Sequence, residues 1–271
     1  MAKLRPTVGL SAVIVTYNEA HLLPGCLKSL SFCDEMLVID VGSNDDSVEI
    51  AEALGARVIS HTWVPFAEKV WAFATEHVTH DWMVIGSPDI TYPGGIGERI
   101  RGLIIQYEKD GLGGILLPAF TYVGNRPLNY GQKGGARSFR AAVHKHRMNF
   151  GGLLHARGDG MRKGYFFLGL LRERGEGVIH YWIADLGEAL VKARRYLPYE
   201  AESRQAAGQK FTWRGMFAEL YRSLKMDLRK FAFLDWRAMQ VMVFQLWYLG
   251  KANLALLSYQ QQGEIVAERE E

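Results

Sequence analysis

Alternation between short apolar runs and helical segments in the first third of the chain limits the possible fold most strongly. Apolar, largely β-branched runs at 10–16, 35–41, 57–60 and 82–85 predict four strands. The segments between them repeat apolar residues every three or four positions, as helices do. This order predicts an α/β fold, in which a mostly parallel sheet lies between helices.

The composition indicates a folded chain without a dedicated nucleic-acid surface. Hydrophobic residues make up 48% of 271 residues, enough for one large domain or two small ones. The formal net charge of +3 is too small for a nucleic-acid binder. Two cysteines, Cys26 and Cys33, cannot build a disulfide framework or a four-ligand zinc site. We therefore expect a cytoplasmic protein with no nucleic-acid partner.

The N-terminal apolar run and the longest apolar stretch bear on targeting and on membrane insertion. The apolar run near the N-terminus ends at Tyr17-Asn18-Glu19 and not at a small-residue cleavage site, so we expect no secretory signal. The longest uncharged apolar stretch, 238–250, is shorter than the roughly 20 residues that span a bilayer. The sequence thus predicts surface attachment, at most, to the inner face of the cell membrane.

Polar residues follow three of the predicted strands directly. Parallel strands end at one edge of the sheet, and ligands of open α/β sheets bind at that edge. The polar residues after any one strand are compatible with a turn or a helix cap. Three such groups at the same edge of the sheet favour a nucleotide site. The residues concerned are Thr16, Tyr17, Asn18, Glu19, Asp40, Gly42, Ser43, Ser87 and Asp89.

Two common phosphate-binding motifs are missing from the sequence, and their absence limits how the phosphates of a nucleotide could be held. The sequence has no G-x-G-x-x-G after the first strand and no Walker lysine, which disfavours dinucleotide enzymes and P-loop NTPases. A divalent cation that bridges a carboxylate and two phosphates would serve instead, and oxygen ligands suit Mg²⁺ or Mn²⁺. Asp89 is the predicted ligand.

Several motifs resemble glycosyltransferase family 2, whose members have the GT-A fold. Residues 13–19 read Val-Ile-Val-Thr-Tyr-Asn-Glu, residues 37–47 read Leu-Val-Ile-Asp-Val-Gly-Ser-Asn-Asp-Asp-Ser, and Ser87-Pro88-Asp89 falls where the family carries Asp-x-Asp. Three later motifs are similar to the branch of lipopolysaccharide-core β-glucosyltransferases: 137–140 (Arg-Ser-Phe-Arg), 151–155 (Gly-Gly-Leu-Leu-His) and 180–186 (His-Tyr-Trp-x-x-Asp-Leu). The resemblance extends from residue 9 to residue 260.

The resemblance implies a role for each group of residues. Thr16 to Glu19 would line the nucleotide pocket, and Asp40, beside Gly42 and Ser43, would read the uracil or the ribose. Asp89, next to Ser87, would hold the metal. His155 would complete the metal shell or touch the diphosphate, unless it is a structural histidine. Arg137 and Arg140 would clamp the diphosphate, the alternative being two solvated arginines on a strand.

Two departures from the family pattern bear on the chemistry. Ser87 replaces the first Asp of Asp-x-Asp, and Ala156 stands where the family has Glu. An inverting transferase needs a general base for the acceptor hydroxyl. Asp159 is the nearest carboxylate and is the predicted base, against the alternative of a turn-forming Asp within Arg157-Gly158-Asp159-Gly160.

Taken together, the motifs predict a hexosyltransferase. The resemblance implies transfer of a sugar, glucose from UDP-glucose, with inversion onto a saccharide or a lipid-linked acceptor such as lipopolysaccharide core. Because Ser87 and Ala156 remove two carboxylates, a catalytically impaired sugar-nucleotide-binding protein is the alternative. A sugar nucleotidyltransferase is disfavoured because its glycine-rich, basic N-terminal loop is missing.

The remaining stretches complete the expected domain organisation. Residues 1–180 are expected to form the GT-A domain, within which the glycine-rich, basic stretch 122–164 predicts a long functional loop. Residues 181–271 are expected to be helical and able to associate with a membrane.

In that helical region, apolar residues step by three or four from Trp213 to Phe231. Basic residues outnumber acids by 11 to 5 between Val191 and Arg237. This fits either an anionic membrane surface or an amphipathic helix packed on its own domain.

Overall fold

The computed structural model describes residues 8–152, 160–170 and 177–270, with side chains described as far as residue 262. The strands are β1 (Leu10–Thr16), β2 (Glu35–Asp40), β3 (Arg57–Ser60), β4 (Trp82–Gly86), β5 (Ile90–Thr91), β6 (Leu112–Val123), β7 (Arg126–Pro127), β8 (Ala136–His144), β9 (Phe166–Gly169) and β10 (Val178–Ile183). The helices are α1 (Leu23–Ser29), α2 (Ser47–Ala53), α3 (Trp71–His77), α4 (Ile96–Tyr107), α5 (Leu186–Ala206), α6 (Trp213–Arg229) and α7 (Trp236–Glu270). Short 3-10 turns lie at Ala67–Lys69, Glu108–Asp110 and Ala232–Leu234.

The sheet has a parallel half built from the first four strands. Its order begins β3-β2-β1-β4, and each neighbouring pair in this half is parallel. Thr16 at the end of β1 lies in register with Asp40 at the end of β2. The carboxyl ends of these strands therefore share one edge, as the alternation of strands and helices predicted, and the α/β fold class is confirmed.

The other half of the sheet is largely antiparallel. Strand β8 pairs antiparallel with β4 on one side and with β6 on the other. Part of the stretch 122–164, expected to be a long loop, belongs to the end of β6, to β7 and to β8. That expectation was wrong because glycine content is a local signal, whereas β8 forms by pairing with distant strands.

Helices cover both faces of the parallel half. Alternate residues point to opposite faces of a strand, so Ala12 and Ile14 of β1 pack in one apolar cluster and Val13 packs in the other. The first cluster includes residues of α1, α2 and α4, and the second includes residues of α3. Both faces are buried, and this explains why the strands read as continuous apolar runs.

The chain divides into two compact units. One comprises the described residues of 1–120, 136–152 and 159–180, and it contains the parallel half of the sheet. The other comprises 121–135 and the described residues of 181–271, and it contains α5, α6 and α7. The roles expected for 1–180 and 181–271 stay predictions.

The second unit contains the three longest helices of the described residues, α5, α6 and α7. None of the helices in the described ranges has an apolar stretch sufficient to cross a membrane.

Candidate active site

The loops that follow β1 and β2 are joined by hydrogen bonds at the carboxyl edge of the sheet. The backbone N–H of Asn18 donates to Ser43 Oγ at 2.9 Å, and the N–H of Asn44 donates to Asn18 Oδ1 at 2.7 Å. Asn18 has a positive φ of 55°, a conformation for which Asn is enriched. The N–H of Ala20 donates to Asp45 Oδ2 at 3.1 Å. The two loops are therefore held as one structure.

Asp45 organises this structure, although sequence reasoning gave it no role. Its carboxylate accepts hydrogen bonds from Ser47 Oγ at 2.5 Å and from the N–H of Ser47 and of Ala20. Burial opposes ionisation, but these hydrogen bonds outweigh it and lower the pKa of Asp45. Ser47 Oγ in turn accepts from the N–H of Glu19 at 3.2 Å. The fixed anion thus sets the path of Glu19.

Thr16 and Asp40 lie side by side at the strand ends and are buried. The Asp40 carboxylate accepts from the N–H of Gly42 and of Ser43, each at 3.1 Å. Gly42 has φ of 94°, a left-handed conformation that favours glycine. Asp40 therefore shapes the turn, yet a carboxylate has about four acceptor sites, so it retains capacity for a ligand. Within the described ranges, the Thr16 hydroxyl is buried without a hydrogen-bond partner.

Asp89 is the buried carboxylate at the end of the next strand. Ser87 Oγ donates to its Oδ1 at 2.5 Å, and His180 Nε2 lies 3.2 Å from its Oδ2. His180 reaches it because β10 pairs antiparallel with β5, which brings His180 opposite Ile90. Ser87 thus orients the carboxylate beside it. Sequence reasoning quoted the motif that contains His180 but gave that histidine no role.

Cys26 lies near this carboxylate but is not a nucleophile. Burial raises the pKa of its thiol to about 12, and the negative charge of Asp89 adds to the effect. A thiol with this pKa stays protonated at neutral pH, and only the thiolate is reactive. Cys26 is therefore a packing residue of the first apolar cluster.

The donors at this edge fit a metal ion that the substrate completes. Among the described residues, no three His, Cys, Asp or Glu side chains are grouped to enclose an ion. Asp89 and His180 nevertheless place a carboxylate and an imidazole together. Mg²⁺ is typically held by one or two carboxylates plus substrate phosphates. The other predicted ligand, His155, and the predicted base, Asp159, lie outside the described residues.

Arg137 and Arg140 do not converge. Both lie on β8, three residues apart, and alternation along a strand sends them to opposite faces. The Arg140 guanidinium stacks 5.8 Å from the ring centre of Phe167, and Arg137 is exposed. Only one of the two can therefore approach a given diphosphate from this strand.

Comparison with known proteins decides the family. The model of glycosyl transferase family 2 matches residues 11–162, more than half of the chain. The chain belongs to glycosyltransferase family 2. The matched region contains every site residue predicted from sequence, whereas His180 lies beyond it. The fold is the GT-A fold expected for this family.

Similar bacterial proteins are named as glycosyltransferases. An uncharacterized glycosyltransferase of Rickettsia felis is 31% identical over 102 residues, covering 37% of this chain and 36% of that protein. One from Rickettsia bellii is 35% identical over 105 residues, covering 38% and 35% respectively. The chain thus matches little more than a third of the length of these relatives.

Among solved structures, similarity extends to glucosyl-3-phosphoglycerate synthase from Mycobacterium tuberculosis in complex with Mn²⁺, UDP and glucosyl-3-phosphoglycerate. The sequence identity is 23%, the TM-score is 0.35, and the overlap covers 42% of this chain and 44% of that chain. A likeness of this extent says nothing about the substrates of the present chain.

Proposed function

We propose that this chain transfers glucose from UDP-glucose, with inversion, to a saccharide or a lipid-linked acceptor such as lipopolysaccharide core. The observation that carries the proposal is Asp89, a buried carboxylate held by Ser87 and His180 in a family 2 domain. The joined loops at the ends of β1 and β2 support a nucleotide site beside it. Thr16 supplies a buried hydroxyl that has no hydrogen-bond partner among the described residues.

Asp89 and His180 are the residues proposed to hold Mg²⁺ or Mn²⁺, and the family resemblance adds His155. When bound, the ion neutralises charge on the departing diphosphate. Thr16 and Asp40 are proposed to position the nucleoside. One arginine, Arg137 or Arg140, is proposed to bind the diphosphate through its planar guanidinium.

Asp159 is proposed to act as the general base. The acceptor hydroxyl oxygen attacks the anomeric carbon, the bond from that carbon to the diphosphate oxygen breaks, and Asp159 takes the hydroxyl proton. The Asp159→Asn variant should therefore keep its affinity for UDP-glucose while turnover falls at least ~100-fold, the lower end for loss of a general base. Turnover and binding should be measured separately, and full turnover in a folded variant would exclude Asp159.

The alternative, an impaired sugar-nucleotide-binding protein, rests on Ser87 and Ala156. It predicts binding without transfer. Purified protein should be incubated with a panel of UDP-sugars and Mn²⁺, with UDP release as the readout, and UDP binding should be measured in parallel by calorimetry. Binding without release would support the alternative, and the absence of both would contradict either function.

Asp40→Ala is expected to weaken UDP binding by about 1.5–3 kcal/mol, the range for hydrogen bonds to a charged group. Because Asp40 also caps the N–H groups of Gly42 and Ser43, thermal unfolding must show that the variant is folded. Asp46→Ala is the matched control, since this carboxylate is exposed and makes no capping hydrogen bond. Equal UDP affinity in folded Asp40→Ala and wild type would mean that Asp40 only shapes the turn.

A lipid-linked acceptor implies a location for the enzyme. We place it at the inner face of the cell membrane, with the anionic membrane surface as its partner. The helices of the second unit carry the surface that supports this location.

A further inference from the structure

Helix α6 has its aromatic residues outward, and two of its three buried residues are polar. Trp213, Phe217 and Tyr221 are 56%, 60% and 62% exposed. Ser223 and Asp227 of the same helix are buried. A helix that packs on its own protein normally has the opposite arrangement. The outward stripe is therefore not part of the core of this chain.

The inward polar face is fixed by hydrogen bonds from the segment between β7 and β8. Asp227 Oδ1 accepts from the N–H of Gln132 at 2.6 Å, and its Oδ2 accepts from Gln132 Nε2 at 2.9 Å. Gln132 Nε2 also donates to Ser223 Oγ at 2.7 Å. The N–H of Gly131 donates to the carbonyl of Lys230 at 3.0 Å. Because rotating α6 would break these bonds, the aromatic residues are held outward.

Exposed apolar residues continue past the end of α6. Phe231, Phe233, Leu234 and Trp236 are all exposed. Phe231 has φ of 55°, in the left-handed position after a helix where glycine is preferred. An aromatic side chain there strains the backbone and gains little burial in return. This placement makes sense if the ring is buried by something outside the chain.

The exposed charges of this surface are positive. Between residues 213 and 236 all acids are turned inward or paired: Asp227 binds Gln132, Glu219 binds Arg204 and Asn253, and Asp235 binds Arg237. The exposed basic residues have no ion-pair partner in the part of the chain that the structure describes. They are Arg214, Arg222, Lys225, Arg229 and Lys230.

We propose that this surface, the docking face, binds an anionic phospholipid bilayer. It is defined by the aromatic residues Trp213, Phe217, Tyr221 and Phe231 with the exposed basic residues of α6 and Lys230. Amphipathic helices with aromatic and basic residues lie in the membrane interface, with the apolar side inserted roughly 5–10 Å. A second copy is the poorer occupant, because two such faces would bring like charges together.

The first test compares vesicles of different charge. The purified 271-residue chain should sediment with vesicles of equimolar phosphatidylcholine and phosphatidylglycerol, and less with phosphatidylcholine alone. Each basic residue near an anionic surface contributes about 1 kcal/mol, so reversing three of them should lower partitioning at least ~100-fold. The variant is Arg222→Glu, Lys225→Glu and Arg229→Glu together, and high salt should mimic it.

A matched control reverses three exposed lysines of the first unit: Lys28, Lys109 and Lys163 to Glu. Both triple variants change the formal charge equally, so retained binding of the control variant would localise the effect to the docking face. If both variants lose binding equally, only the overall charge matters and the proposal is overturned. UDP binding should be unchanged in either variant, so the outcome is independent of the transferase proposal.

The second test uses the strained position. Phe231→Gly should leave the melting temperature unchanged or higher, because glycine adopts the left-handed conformation without strain. The same variant should bind anionic vesicles more weakly. Failure of wild type to sediment with anionic vesicles at low salt, together with a dimer that Trp213→Ser dissociates, would assign the face to a second copy instead.

Discussion

Asp89→Asn is expected to abolish the metal-dependent part of UDP binding and to lower sugar transfer by at least ~10³-fold. The amide keeps the size of the side chain and can still hydrogen-bond Ser87 and His180, but it removes the negative charge on which the proposed metal site depends. Stabilisation of leaving-group charge by a metal is worth several kcal/mol, and each 1.36 kcal/mol corresponds to tenfold in rate. Calorimetry with and without Mn²⁺, together with UDP release, gives both quantities.

Ser87→Ala serves as the control for this change. It removes one hydrogen bond to Asp89 and leaves the carboxylate in place. A lost hydrogen bond to a charged group costs about 1.5–3 kcal/mol, so its effect should be smaller than that of Asp89→Asn. If wild type and Asp89→Asn bind UDP equally, with or without Mn²⁺, Asp89 is not a metal ligand.

The parallel half of the sheet could be predicted from the sequence because its signals are local. The run from Leu10 to Thr16 matches β1 at both ends, and the run beginning at Glu35 ends one residue beyond β2. A strand buried on both faces is apolar along most of its length, whatever lies beside it. The placement of Thr16 and Asp40 at one edge followed from the same signals.

Other parts of the site depend on contacts between residues far apart in the sequence. His180 and Asp89 are separated by 91 positions, and no periodicity connects them. Opposite directions for Arg137 and Arg140 follow from β8 being a strand, which the sequence offered only as the alternative to a diphosphate clamp. The resemblance to the family motif included both arginines, but it did not show on which face of the sheet each side chain lies.

The orientation of helix α6 could not be predicted from the sequence either. Its periodicity grouped Trp213, Phe217 and Tyr221 on one side, yet periodicity alone does not tell which side faces the protein. The orientation is decided by Asp227, whose partner Gln132 lies 95 residues away. Long-range hydrogen bonds of this kind are invisible in a local pattern.

Gln132→Leu is expected to lower the free energy of unfolding by about 1.5–3 kcal/mol, the range for hydrogen bonds to a charged group. The leucine leaves Asp227 with the backbone N–H of residue 132 but without the side-chain amide. Asp227→Leu should be comparably destabilising, since it leaves the amide of Gln132 without its carboxylate. Replacing both by leucine should cost less than the sum of the single variants, because neither polar side chain then remains unpaired.

Urea denaturation of the four proteins, wild type included, closes the double-mutant cycle. Arg222→Ala is the matched control on the same helix, and as an exposed substitution it should stay within about 0.5 kcal/mol of wild type. A coupling energy near zero between positions 132 and 227 would mean that the hydrogen bonds do not hold α6. The aromatic stripe would then be free to turn inward. A clear coupling energy, together with weaker vesicle binding by Gln132→Leu, would instead show that the hydrogen bonds hold the stripe outward.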